Sequence, residues 1–180
     1  MNCWKSFNIT KEHGSIRLIL LSLFFMITFY IFFNLMVSTV FTHVHTISYN
    51  PLILLFGLLF IVPGHKLTHC IPLWMTGRKV PIRFERSLLI PNIQCVIRQP
   101  ISKRMYLIVT ALPAMLGTFL TVILTFEFPS GQDYFGALGA INFGLSLTDI
   151  IYFFKLINAP RNAYVEDDQY GCRILIKQTI

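Results

Sequence analysis

Hydrophobic positions fill this chain in four long blocks, with the polar positions gathered between them. The first block runs from about Ile16 to Phe41 and carries no charge after Arg17. The others run from Pro51 to Ile71, Met105 to Phe126 and Tyr134 to Ile157. A helix rises about 1.5 Å per residue, so about 20 residues cross a hydrocarbon core of about 30 Å. The first, third and fourth blocks reach that length on apolar residues alone. The second is purely apolar only from Leu52 to Val62. It is either a buried half-helix or a full span carrying His65, Lys66 and His69 near one end, and we take the second reading. The pattern predicts an all-α integral membrane protein, one membrane domain with four transmembrane helices (16–41, 51–71, 105–126 and 134–157). The first block is too long and too rich in Phe for a cleaved signal peptide.

A different period appears in the one long connection, residues 72–104. Val80, Ile82 and Phe84 alternate with Pro81, Arg83 and Glu85, and Ile93, Cys95 and Ile97 alternate with Asn92, Gln94 and Arg98. Period-two alternation marks half-buried strands, so this stretch predicts a small β-hairpin turning at Ser87 to Pro91. An irregular amphipathic loop resting on lipid is the alternative. Pro81 suits an edge strand, and an exposed edge can add an extended peptide as another strand.

Composition narrows the class. Hydrophobic residues make up 54% and charged residues only 13%, about half the charge of a soluble domain, which excludes an ordinary soluble enzyme or a disordered tail. The net charge of +7 raises the question of nucleic acid, and the placement of the basic residues answers it. Lys5, Lys11 and Arg17 precede the first block. Arg78, Lys79, Arg83, Arg86, Arg98, Lys103 and Arg104 lie between the second and third, and Lys155, Arg161, Arg173 and Lys177 lie at or beyond the end of the fourth. Every basic residue except Lys66 then falls on one side, which the positive-inside rule makes the cytoplasm. Both termini, the hairpin and the tail 158–180 are expected to be cytoplasmic, in a multi-pass protein of the cell membrane. The basic residues serve topology and contact with lipid head groups, and no nucleic-acid partner is expected. Cys3, Cys70, Cys95 and Cys172 share that reducing side, so disulfides are not expected.

Ionisable groups inside a span are costly and so are functional candidates. His65 and His69 are four apart and share one helix face. Asn142, Ser146 and Asp149 share a face of the fourth block, while Gly136, Ala140 and Gly144 form a separate stripe of small residues suited to close helix packing. His65 and Asp149 both lie about 20 Å down from the outer ends of their spans, at about 1.5 Å per residue. Two His and one Asp at one depth can form a three-ligand zinc site with an open position. Equally, Lys66 can pair with Asp149 in a metal-free accessory protein.

The arrangement resembles the bacterial membrane proteins described as putative zincin peptidases, distantly similar to site-2 intramembrane metalloproteases. The resemblance covers most of the chain, and the tail from Ala159-Pro160 to Gly171 shares it. It implies a four-span zincin-like core with H-E-x-x-H on the second span, matched by His65 and His69, and a late-span Asp as third ligand, matched by Asp149. It implies zinc as cofactor. The face shared by Asn142 and Ser146 is read from its spacing as supporting polar residues beside it. The departure is Lys66, which stands where the motif has its catalytic Glu. Protonated Lys has no lone pair with which to accept a proton. At about 5 Å and an effective dielectric near 20, it would also repel a divalent cation by roughly 6 kcal/mol. The resulting expectation is a degenerate metallopeptidase that binds membrane-protein or peptide segments. An active zinc metallopeptidase is the alternative.

Overall fold

Each apolar block folds into helix, and the boundaries follow capping chemistry. The computed structural model describes residues 2–41, 50–78, 80–85, 92–95, 99–168 and 171–176. The first block is helix α2, Ser15–Val40, after a short helix α1, Ile9–His13. The second is α3, Pro51–Thr68, continued past His69 by α4, Cys70–Met75. The Asn50 side chain accepts from the Leu52 N–H at 3.0 Å, and Pro51 occupies the first turn, where its missing N–H costs nothing. The third is α5, Lys103–Glu127, capped by Ser102.

The fourth block is not one straight helix. It is α6, Gln132–Leu145, and α7, Leu147–Ile157, bent by 45°. The bend has a local cause at Ser146. Both its N–H (3.0 Å) and its Oγ–H (2.8 Å) are donated to the Asn142 carbonyl, a side-chain back-bond of the kind that bends helices. Among the described residues, three helices are therefore long and apolar enough to cross a membrane, or four if the bent pair is one span. Their outer surfaces are apolar. Phe24, Phe32, Leu55, Phe60 and Phe119 stand exposed, while α2 buries only Leu18, Phe33 and Val37. A soluble protein would not leave so much contiguous apolar surface in water.

Helix α6 is the hub, packing on α2, α3 and α5. The small-residue stripe makes this approach possible. A Cβ on Gly144 would sit 2.2 Å from Met26 Cγ, and one on Gly136 would sit 2.8 Å from the Phe33 ring. Phe25 and Phe29 of α2 stack on Phe143 of α6, and the Ser22 Oγ–H donates to the Gly144 carbonyl at 2.8 Å.

The all-α expectation needs correction. Beside the helices lies a four-stranded antiparallel sheet in the order β1–β6–β5–β4, with β1 Asn2–Phe7, β4 Ile101–Ser102, β5 Ala163–Asp168 and β6 Gly171–Ile176. The cause is alternation in the tail. Ala163, Val165, Cys172 and Ile174 face inward and are buried, while Arg173 between the last two is exposed. With Phe7 and Ile101 they cover Leu73, Tyr106, Val109, Leu156 and Ala159, closing one end of the helices in a single apolar core. Lys103 is buried at this junction. Its ammonium donates to the Ile157 carbonyl at 2.9 Å and to the Ala159 carbonyl, satisfying oxygens that the end of α7 leaves open.

The connection between α4 and α5 does contain paired strands. β2, Ile82–Glu85, runs antiparallel to β3, Asn92–Cys95, with Phe84 opposite Ile93, and β3 runs beside α3. Val80 and Pro81 precede the strand rather than joining it. The expected turn at Ser87 to Pro91, and Ile97 and Arg98, lie outside the described residues. The expectation about thiols fails at one position. Cys70 is disulfide-bonded, whereas Cys3 and Cys172 are not.

Candidate metal centre

The site forms where the end of α3 meets the start of α7. One helical turn separates His65 and His69, so both rings project from the same side of α3, 5.3 Å apart and nearly perpendicular. The bend at Ser146 swings the first turn of α7 toward them and presents Asp149. Asp149 Oδ2 lies 3.2 Å from His65 Nε2 and 3.4 Å from His69 Nε2. Among the described residues these three form a group whose ligand atoms all lie within 4.8 Å of one another. His65 is buried, and the other two are largely so.

The far side of each imidazole decides its chemistry. Helix α5 carries Pro113, which has no N–H to give the Val109 carbonyl one turn earlier. That carbonyl instead lies 2.9 Å from His69 Nδ1. A carbonyl can only accept, so Nδ1 carries the hydrogen and Nε2 keeps its lone pair. His65 is fixed by a longer relay. The Asn142 amide Nδ2–H donates to the Pro113 carbonyl at 3.0 Å, which leaves its Oδ1 facing His65 Nδ1 at 3.2 Å as an acceptor. Nδ1 of His65 is then also the protonated nitrogen. Two Nε2 atoms and a carboxylate oxygen converge at hydrogen-bond distance; with both rings neutral their lone pairs face one another, and either a shared proton or a metal cation relieves that repulsion.

The donor set fits zinc. Tetrahedral zinc with bonds of about 2.0–2.1 Å places its ligand atoms about 3.3 Å apart. The two edges at Asp149, 3.2 and 3.4 Å, bracket that value, and the third lies within 4.8 Å. Two imidazoles and one carboxylate also leave one of four positions open, and both imidazoles are anchored through Nδ1, as zinc-binding histidines are.

Asn142 holds His65, and Ser146 makes the bend that delivers Asp149. Lys66 is exposed and, with Leu18, Ser22, Val62 and Thr148, lines a cavity of about 340 Å³ that reaches the triad between α2, α3 and α7. Pro113, Val109 and Gly117 were not singled out by the sequence. A proline inside an apolar span was the available signal, because it always frees a carbonyl one turn back. Gly117 matters by absence, since a Cβ there would lie 2.0 Å from Asn142 Nδ2.

No curated protein and no solved structure matches the chain. Residues 58–164 match the family described as "Putative zincin peptidase", a stretch that contains all three convergent side chains and both residues that orient them through Pro113. That stretch is more than half of the 180 residues, and the chain belongs to the putative zincin peptidase family.

Proposed function

We propose that this protein is a multi-pass protein of the cytoplasmic membrane, with both termini cytoplasmic, that holds zinc on His65, His69 and Asp149 and binds peptide segments there without cutting them. The observation that carries the metal reading is the convergence of two Nε2 atoms on Asp149 Oδ2, with both Nδ1 atoms committed elsewhere. When bound, zinc supplies Lewis acidity and lowers the pKa of a coordinated water. Around it, the protein's own residues have distinct tasks. Asn142 and the Val109 carbonyl keep the imidazoles in the ligating tautomer. Ser146 sets the bend that presents Asp149.

The loss of hydrolysis rests on Lys66. A peptidase of this type needs a group beside the metal that takes a proton from water and returns it to the leaving amine. Lys66 sits between the two histidines where the H-E-x-x-H motif has Glu, and its ammonium cannot accept that proton. The β2–β3 pair runs beside α3, and an edge strand is a surface to which an extended segment can add. Membership of a peptidase family favours the second reading, an active zinc metallopeptidase with another group moving the proton.

Metal analysis of purified protein in detergent tests the metal site. One zinc per chain is expected, falling away in His65→Ala and Asp149→Ala, and zinc-free protein refutes it. Incubation with membrane-peptide substrates tests the loss of cutting. No cleavage is expected from the native chain, and cleavage that vanishes in His65→Ala establishes the active enzyme instead. Lys66→Glu asks whether the missing base alone accounts for the silence.

A further inference from the structure

Among the described residues, the exposed large apolar side chains stand almost all on the helices, and Trp4 stands apart from them. It lies on β1, an edge strand of the four-stranded sheet, and is 47% exposed. The register of β1 on β6 pairs Cys3 with Leu175 and Lys5 with Ile174, so Trp4 is the extra residue of a bulge. A bulge re-aims the side chain it carries. Here it leaves Trp4 outside the apolar core that holds Phe7. Trp74 is the other tryptophan of the chain and is 43% exposed, next to Leu73 of that same core. Both tryptophans therefore stand out at one end of the helices, where a membrane protein places its interfacial aromatic residues.

The segment that carries Trp4 has a fixed place. The Phe7 ring meets Tyr152 of α7 at 5.7 Å, and Lys155 Nζ lies 5.1 Å from the same ring. Lys155 also donates to Glu12 of α1. The arm formed by β1 and α1 thus rides on α7, the helix that presents Asp149. Its height is set as well, because α1 ends at His13 and α2 begins at Ser15, followed at once by the exposed Ile16. The arm sits where the first span enters the bilayer. Residues 2–17 carry Lys5, Lys11 and Arg17 against Glu12 alone, and Glu12 is engaged by Lys155. A basic surface beside an exposed indole fits anionic head groups. The edge itself argues against an added strand, since a bulge and a lysine are two devices that blunt strand addition.

We infer that the β1–α1 arm docks on the anionic phospholipid head groups of the membrane its helices cross, with the Trp4 indole at head-group level and Lys5 and Arg17 facing lipid phosphates. This inference rests on the membrane reading above and is independent of zinc. Through Phe7 and Glu12 the docked arm also steadies α7.

Tryptophan fluorescence of the full-length chain in nanodiscs tests this. Trp74→Phe leaves Trp4 as the one tryptophan, and Trp4→Phe leaves Trp74. The discs contain phosphatidylcholine alone or mixed with phosphatidylglycerol, each with and without lipid brominated near the head group. Brominated lipid is expected to quench Trp4, and soluble acrylamide to quench it less in the discs that contain phosphatidylglycerol. In those discs Lys5→Gln should lower the ratio of docked to free arm about fivefold, the worth of one basic residue near such a surface. Trp4 open to acrylamide and untouched by brominated lipid in both discs overturns the inference. Equal docking in the two kinds of disc overturns the choice of anionic lipid. Shielding from acrylamide without quenching by lipid overturns it too, because Trp4 is then covered by protein. Trp74 keeps the two readings apart. Quenching of Trp74 by brominated lipid while Trp4 escapes it sinks this inference alone. Protein that stays outside the discs, with neither tryptophan quenched, sinks the membrane reading with it.

Discussion

Gly117→Ala adds one methyl group on α5, far from any metal ligand in sequence, and should weaken zinc binding. The new Cβ would lie 2.0 Å from Asn142 Nδ2, 2.5 Å from its Cγ and 3.1 Å from its Oδ1. Ordinary van der Waals contact begins near 3.4 Å, so the amide must recede by about 1.4 Å. Its hydrogen bonds to the Pro113 carbonyl (3.0 Å) and His65 Nδ1 (3.2 Å) cannot survive that shift. Both lie in a buried region, where an unmade bond costs about 1–3 kcal/mol, so the fold should lose about 2–6 kcal/mol in all. Released from its acceptor, His65 no longer has its tautomer fixed. Losing such an outer partner typically costs ten- to a hundredfold in metal affinity. Competition with a chromophoric zinc chelator at neutral pH reads this directly. Because the whole effect is assigned to Asn142, Gly117→Ala and Asn142→Ala combined should be no worse than the more severe of the two. A folded Gly117→Ala protein with wild-type zinc affinity, or full additivity with Asn142→Ala, would refute the relay.

Three further outcomes follow from the same contacts. Pro113→Ala restores an N–H that competes with His69 for the Val109 carbonyl, so zinc affinity should fall while helix α5 is not destabilised; chelator competition and thermal melts separate the two effects. Lys103→Met strands the Ile157 and Ala159 carbonyls in a buried junction and should cost about 1–3 kcal/mol, read as a lowered melting temperature. Glu12 on α1 accepts a hydrogen bond from Lys155, which holds its carboxyl below the ordinary value. A depressed folded pKa means this contribution is fully present above the unfolded value of about 4.3 and disappears as pH falls through the folded one. The pair is solvent-exposed and worth less than about 1 kcal/mol, so Glu12→Gln should slightly flatten the acid limb of a stability–pH curve and leave neutral stability little changed.

What the sequence revealed and what it hid differ in kind. The helices were legible because runs such as Leu18 to Val40 are long enough to exclude other readings. The triad was legible because i,i+4 spacing fixes the face shared by His65 and His69, and equal depth matched them to Asp149. The sheet was hidden. Asn2–Phe7 pairs with a strand more than 160 residues away, and nothing local announces so distant a partner. The bend at Ser146 was hidden because serine in a helix bends it only when its hydroxyl turns back to the carbonyl one turn earlier. The Val109 carbonyl was hidden because a backbone oxygen has no letter of its own; only Pro113 hinted that it was unclaimed.

The pairing of β1 with β6 also sets an order of events during synthesis. The ribosome adds about 5–20 residues per second, so Phe7 waits roughly 10–30 s before Cys172 emerges to meet it. Asp149 is made before β6, and all three side chains of the centre therefore exist while the sheet is still short of its central strand. The apolar faces of Phe7, Ile101 and Val165 stay uncovered during that interval. The strand that covers this end of the helices is thus made after every side chain of the centre.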